Sequence, residues 1–385
     1  MGLVAGGATG AVIAGSGADA SAGTTAAEPA SGATGTEQTD PGTTVPDQGQ
    51  DGTVPDFGPG GRGGTAPGDG TSGGSSQTQA TAATAEQQVG VVTIDSTLGY
   101  QDGASAGTGM VLTSDGLVLT NNHVISGATS VEVTVESTGK TYTATVLGAD
   151  PSADVALLQL TGASGLQTVT LDDDGGVQAG DEVTAVGNAE GTGDLVAATG
   201  DVTATDQSMT AATGTGDAET LDGLIQFSAD VVSGDSGGPV LDDEGEVVGI
   251  TTAASTNTSM TVAYAIEIQD AVAIVHQIAS GEESGTVQIG LPAFLGVALA
   301  DSSAATGQSG AVVGEVLDGT PAARAGLAAG DVITAVDGTA VRSSDDLSAA
   351  LAAHEPGDEV TVTWTSGTTG GSEQASVTLV EGPAA

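Results

Sequence analysis

Residues 234–239 read Gly234-Asp235-Ser236-Gly237-Gly238-Pro239 and lie between two strand-like runs at 224–227 and 247–251. A serine hydroxyl is a weak nucleophile that needs a neighbouring base and donors for a developing oxyanion. Glycines on both sides of Ser236 let the backbone turn sharply, direct N–H groups inward and admit a substrate carbonyl. This hexapeptide therefore sets the question for the rest of the chain: where are the base and the group that orients it?

The chain holds three histidines. His123 stands in Thr120-Asn121-Asn122-His123-Val124, at the end of a strand-like run that follows the turn Ser114-Asp115-Gly116. His276 falls on a helical stretch and reads as structural or solvent-facing. His354, in Ala353-His354-Glu355-Pro356-Gly357, reads as a favourable charge near a helix end. An orienting carboxylate is offered by Asp154 of Asp154-Val155-Ala156-Leu157-Leu158, since an acid at the head of a core strand needs a partner and an imidazole N–H supplies one.

Outward from these residues the texture is that of a β protein. GVVTI, GTGMVLTS, GLVLTNNHV, SVEVTVES, KTYTATVLG, DVALLQL, DEVTAVGN and GEVVGITTAA recur between Gly and Asp turns. Many short strands with frequent turns argue a barrel or sandwich. One long helical stretch, 268–280, carries Val272, Val275, Ile278 and Ala279 at helical spacing as its expected buried stripe. A polar connection, 282–286, leads to a second globular segment beginning near Leu291.

Before all of this stands a different composition. Residues 18–85 form a tract of Gly, Thr, Ala, Ser, Asp, Gln and Pro with Phe57 as its one aromatic residue, which reads as a disordered tether. Residues 1–17 are weakly apolar and lack both the length of a membrane span and the basic start of a secretory signal. They read as the outer end of a membrane anchor, a weak signal, or linker.

Across its 385 residues the chain carries 50 acidic and 4 basic side chains, for a formal net charge of -46, and no cysteine. Disulfides, thiol nucleophiles and Cys-ligated zinc are excluded. The charge repels phosphate backbones, so nucleic acid is not an expected partner. The acidity coats every segment: residues 1–88, 89–290 and 291–385 have nets of -8, -28 and -10. Such self-repulsion fits either a protein adapted to high ionic strength or acidic surroundings, or an ordinary acidic exported protein. The clusters Asp172-Asp173-Asp174 and Asp242-Asp243-Glu244 lack the spaced ligands of an EF-hand loop and read as solvated turns, so no metal or cofactor is expected.

The order His123, Asp154, Ser236, with its three local contexts, resembles the trypsin-like serine peptidases, and the spacings resemble the compact bacterial HtrA/DegP type. So do GTGMVLTSDGLVLTNNHVI and VAYAIEIQDAVAIVHQI. Farther on, GTPAARAGL (319–327) and AGDVITAVDG (329–338), with Leu347, Ala350 and Leu351 on a following helix face, resemble the PDZ domains attached to HtrA proteases. The resemblance implies a mostly β fold: a trypsin-like double β-barrel at 86–285, then a small α+β PDZ domain at 291–382.

The resemblance also implies roles. Ser236 would be the nucleophile, His123 the base, Asp154 its orienting acid, and the N–H groups of Gly234 and Ser236 the oxyanion hole. Thr252 would support Asp154, and Thr252, Ala253 and Ala254 would pair with the substrate backbone. Phe294, Leu295, Gly296 and Val297 would form the loop that receives a peptide's C-terminal carboxylate, with the peptide adding to the neighbouring strand edge. Asp230, six residues before Ser236, stands where trypsin-like enzymes bind a basic P1 side chain. It would set such a preference, or else point to solvent and leave small aliphatic P1 residues favoured. HtrA proteins carry Asn where this chain has Asp235, which therefore needs a partner of its own or stays solvated.

The expected activity is serine endopeptidase action on unfolded or damaged exported proteins, in an extracytoplasmic protein that is secreted or tethered to the outer face of the membrane. A homotrimer is the expected assembly. A non-proteolytic PDZ-containing chaperone and a processing protease for one dedicated partner are the competing readings.

Overall fold

The computed structural model describes residues 80–101, 103–212, 218–257, 260–300 and 309–384. The apolar segment 1–17 and the tether up to residue 79 lie outside them. The last residues assigned to the tether are ordered: Thr81–Ala82 pairs with the 196–197 end of a barrel strand, and the Ala83 N–H donates to the Leu195 carbonyl. Ala83 is buried, so the barrel edge recruits a segment whose composition alone reads as linker.

Two six-stranded antiparallel barrels make up the first part of the molecule. In the first, the order is Lys140–Asp150, Ser130–Val135, Val91–Leu98, Gly103–Val111, Leu117–Thr120 and Val155–Leu160, closed by pairing of the last with the first. In the second it is Val196–Ala212, Ala218–Phe227, Met260–Glu267, Val247–Asn257, Pro239–Leu241 and Glu182–Gly187, closed in the same way. Closure leaves few free strand edges.

The near-continuous apolar runs follow from this arrangement. Successive side chains on a strand face opposite ways. Val92, Ile94, Ala156 and Leu158 fill the first barrel, while Val91, Met110, Leu119 and Leu157 turn to a second core shared with Val186, Ile250 and Ile266 of the other barrel. Phe227, Val202, Val240 and Ala263 fill the second barrel. Both faces of these strands are thus buried, and each large side chain contributes about 1.5–3 kcal/mol by leaving water.

The helix Ile268–Ser280 closes this shared core, with Ile268, Ala271, Val275 and Ile278 buried. Val272 packs at the margin, but Ala279 is exposed, contrary to the expected stripe, because Ile268 and Ala271 carry the buried face around the helix instead. His276 is exposed, and Gly281 in the left-handed region ends the helix.

The last part is a sheet in the order Val297–Leu299, Ala311–Val316, Val332–Val336, Glu359–Thr365 and Ser372–Thr378, with the short strand Thr339–Ala340 beside Val332–Val336. Two helices cover it. Pro321–Ala325 begins at an N-cap Thr320 and ends at left-handed Gly326; Ser344–Leu351 begins at Ser343, whose hydroxyl accepts from Asp346 N–H. Leu347 and Leu351 face Ile333, Val336, Val362 and Trp364.

Residues 380–384 join this part to the barrels. Val380–Glu381 pairs with Ala293–Phe294, and Ala384 exchanges two backbone hydrogen bonds with Gly127 and Ala128, at 2.8 and 2.9 Å. The rings of Tyr100 and Phe294 meet at 5.2 Å between centroids.

Candidate active site

His123 sits on a single helical turn, Asn122–Ile125, just after the strand Leu117–Thr120, rather than at a strand end. Asp154 caps a 3-10 turn, Pro151–Ala153, in the left-handed conformation (φ 54°) immediately before the core strand Val155–Leu160. Asp tolerates that conformation better than most residues. The turn itself is fixed by Asp150, whose carboxylate accepts from Ser152 N–H at 3.0 Å and Ala153 N–H at 3.2 Å.

The Asp154 carboxylate is buried, and three donors meet it. Its Oδ1 accepts from the His123 backbone N–H at 2.9 Å. Its Oδ2 lies 2.8 Å from His123 Nδ1 and accepts from Thr252 Oγ1 at 2.6 Å. The Asn121 amide also donates to the Asp154 carbonyl at 2.9 Å. An ionised carboxylate only accepts, so the imidazole proton belongs on Nδ1 and Nε2 presents a lone pair. The His123 side chain is 48% exposed while that of Asp154 is 6% exposed, which gives a base open to a substrate above a sheltered anion.

Ser236 is half-buried, and its Oγ lies 3.3 Å from the Thr252 carbonyl. Its loop is anchored from several sides. Thr108 N–H donates to the Ser236 carbonyl at 2.8 Å, and Thr108 Oγ1 donates to the Gly234 carbonyl at 2.7 Å. That hydroxyl also accepts from Asn188 N–H at 2.9 Å. Gly237 N–H donates to the Thr251 carbonyl at 2.8 Å. Gly234 (φ 99°) and Gly237 (φ 85°) are required here: a Cβ would strike the Asn188 carbonyl in the first case and the Thr108 carbonyl in the second. Among the described residues the N–H groups of Gly234 and Ser236 donate to no protein acceptor, as an anion-binding pair would need.

Asp235 is buried, not solvated, and its Oδ2 accepts from the Val232 N–H at 2.9 Å, within the same loop. Asp230 is half-buried between Ala229 and Val231, both packed into the second barrel. Thr252 is brought to Asp154 as described. Ala253 and Ala254 pair with Tyr264 and Ala263, and the neighbouring strand Pro239–Leu241 stops pairing at Ile250. Thr251 is still bonded to the serine loop, its N–H donating to the Gly238 carbonyl at 2.9 Å, and no strand pairs with 252–254 on that side among the described residues.

In the last part of the chain, Phe294, Leu295, Gly296 and Val297 are buried. The Leu295 carbonyl accepts from Ala322 N–H at 2.9 Å, and the Gly296 carbonyl from Leu317 N–H at 3.1 Å. The adjoining strand Val297–Leu299 is the outer strand of its sheet, with Ala311–Val316 as its one neighbour among the described residues.

The two acidic clusters converge. Carboxylate oxygens of Asp172, Asp242 and Glu246 lie within 4.8 Å of one another, and Asp172 is buried rather than solvated, accepting from Gly176 N–H at 2.9 Å. A hydrogen bond that a protonated Asp174 donates to Asp172, and then the negative charge of Asp172, hold the Asp174 carboxyl above the usual range, and Glu246 is raised by burial and then by Asp173 and Asp242. Among the described residues every ion pair involves a histidine, so these acids face no Lys or Arg partner.

Thr108, Asn121 and Asn188 carry much of the site's geometry and have no signature of their own in the sequence. Their neighbours at the site are 33 to 126 residues away, and only the fold brings them together.

Residues 107–250 match the trypsin-like peptidase domain, and residues 293–377 match the PDZ domain. The chain is 37% identical over 271 residues to a probable periplasmic serine endoprotease, DegP-like, of Bartonella henselae, covering 68% of this chain and 51% of that protein. It is 35% identical over 261 residues to the periplasmic pH-dependent serine endoprotease DegQ of Escherichia coli, covering 66% and 55%. The chain thus spans about half the length of the curated relatives it matches. A solved HtrA-type protease, AlgW with tripeptide, aligns at 26% identity and TM-score 0.45 over 76% of this chain and 94% of that one.

Proposed function

We propose, from the premise that this chain is HtrA/DegP-like, with a trypsin-like peptidase domain followed by a PDZ domain, that it is a serine endopeptidase. The observation that carries the reading is the grip of Asp154 on His123 Nδ1, reinforced by Thr252, beside a serine loop with two uncommitted N–H groups.

In the reaction, Ser236 Oγ attacks the scissile carbonyl as His123 Nε2 takes its proton. The resulting imidazolium is stabilised by Asp154, and the oxyanion is held by Gly234 and Ser236 N–H. Collapse expels the amine, which takes the proton back from His123. Water, deprotonated by His123, then attacks the acyl-enzyme, and Ser236 leaves with the proton. Each oxyanion donor is worth about 10²–10³ in turnover. The substrate backbone pairs with the free edge at 252–254.

The substrates are unfolded or damaged exported proteins, and the site of action is extracytoplasmic, in line with the periplasmic relatives. Peptide C-termini dock at 294–297 along the outer strand Val297–Leu299. A homotrimer and a tether to the outer face of the membrane through residues 1–17 complete the reading. Asp230 is the candidate determinant of P1 preference.

A fluorophosphonate probe tests the chemistry directly. Labelling confined to the Ser236 peptide, lost in His123→Ala, supports it; a folded protein that takes no label at Ser236 contradicts it and leaves a binding protein or chaperone.

A further inference from the structure

Four described residues other than glycine adopt positive φ: Asp154, Glu190, Asp206 and Asp337. Three are aspartates, which tolerate the left-handed region; Glu190 (φ 57°, ψ 15°) is the exception. Its side chain is exposed, so burial does not impose the strain. Its backbone is engaged, however, because Glu190 N–H donates to the Ser233 carbonyl at 2.7 Å.

That carbonyl belongs to the peptide unit whose N–H is that of Gly234. A trans peptide points its C=O and N–H in opposite directions. Tying the Ser233 carbonyl back to the 188–193 loop therefore turns the Gly234 N–H away from that loop, to the side where the peptidase reading puts the oxyanion. The companion donor, Ser236 N–H, shares a peptide unit with the Asp235 carbonyl, which is held from within the serine loop by Gly238 N–H at 3.0 Å. The Gly234 unit is the one that depends on a bond from another loop.

That other loop is well fixed. Asn188 is buried; its Oδ1 accepts from Gly193 N–H at 2.7 Å, its carbonyl accepts from Gly191 N–H at 2.9 Å, and its own N–H reaches Thr108. With its flanks held in this way, the loop presents the Glu190 N–H to Ser233 with Glu190 in the left-handed region.

We infer that Glu190 is a positioning residue for peptide-bond hydrolysis: its left-handed backbone holds the Ser233–Gly234 peptide with the Gly234 N–H facing the oxyanion, and its carboxylate takes no part. The inference rests on the serine-peptidase reading above. Backbone strain of this kind, held in place by its surroundings, is found at functional sites.

The test is a series at one position, with kcat and KM on a peptide anilide, affinity for a peptide boronate, and thermal unfolding measured for each protein. Glu190→Gln and Glu190→Asn should stay near wild type, and Glu190→Gly should equal or exceed it. Glu190→Val, poorly suited to the left-handed region, should lose kcat on the order of tenfold with KM little changed. Boronate affinity should fall in parallel. Glu190→Val with wild-type kcat, or Glu190→Gln falling as far as Glu190→Val, would overturn the inference. Should Glu190→Val fail to fold, Glu190→Thr, β-branched but polar, against Glu190→Gln decides: Gln above Thr in kcat at equal KM supports the clamp, and equality overturns it. Wild-type turnover that Ser236→Ala abolishes is the control. Its absence overturns the peptidase reading, whereas normal wild-type turnover with an unaffected Glu190→Val overturns this inference alone.

Discussion

Exchanging Asp154 for asparagine keeps the side chain's shape but gives one of its two acceptor positions an NH₂. In the structure Oδ1 receives the His123 backbone N–H, while Oδ2 meets both His123 Nδ1 and Thr252 Oγ1. The backbone N–H is fixed by the turn Asn122–Ile125, so the asparagine oxygen takes the Oδ1 position and its NH₂ faces Nδ1. The imidazole must then accept at Nδ1 and carry its proton on Nε2, where it can no longer deprotonate Ser236. The expected loss in kcat is ~10⁴, equivalent to about 5–6 kcal/mol of transition-state stabilisation. The assay is anilide hydrolysis near pH 7 together with nitrogen NMR of His123, which reports the tautomer. A variant that keeps kcat within about tenfold of wild type, or that keeps the proton on Nδ1, would refute the reasoning.

Three further outcomes are expected. Thr108→Val removes the hydroxyl that links Asn188 N–H to the Gly234 carbonyl, both at buried residues; it should cost about 1–3 kcal/mol in denaturant unfolding and lower kcat, and Thr108→Ser should restore both. The carboxyls of Asp174 and Glu246 are raised in the folded state by Asp172 and its neighbours and, for Glu246, first by burial, so their contribution to stability is fully present below the ordinary carboxylate pKa and is lost as pH rises through the raised values. The double variant Asp174→Asn/Glu246→Gln should therefore unfold at a higher temperature than wild type at neutral pH in dilute buffer, and that gain should vanish near pH 4 and in molar salt. Tyr100→Ala removes an aromatic contact with Phe294 worth about 0.5–1.5 kcal/mol, and hydrogen exchange at Gly127 and Ala384 should quicken while kcat on small anilides holds.

The β character was legible because its signals are local and redundant: short apolar runs, glycine turns, and a serine loop whose glycines answer to steric limits; those signals fitted barrel and sandwich alike, and the double barrel came from the family resemblance. The PDZ helices likewise declared themselves through Pro321, Gly326 and the Leu347–Leu351 pair. What escaped the sequence depends on distant loops meeting. His123 lies on a helical turn too short to show periodicity. Asp235 is buried with its Oδ2 on the Val232 N–H, a contact set by the loop's closure. Asp172 reads as one of three equivalent acids, yet only it is buried. Thr81–Ala82 is a strand because a barrel edge receives it, not because of its own propensity. The strained Glu190 resembles any exposed glutamate until the backbone is traced.

The acidic coat gives the most direct test two dimensions. The measurement is cleavage of an unfolded protein by wild type and by Ser236→Ala, each in dilute buffer and in molar salt, with folding verified in both. Cleavage by wild type and none by Ser236→Ala is the predicted result. Because carboxylates so outnumber basic side chains along the chain, the unfolding temperature should also rise with salt. A folded wild type that leaves the substrate intact in both salts, or equal cleavage by Ser236→Ala, would contradict the serine-peptidase reading.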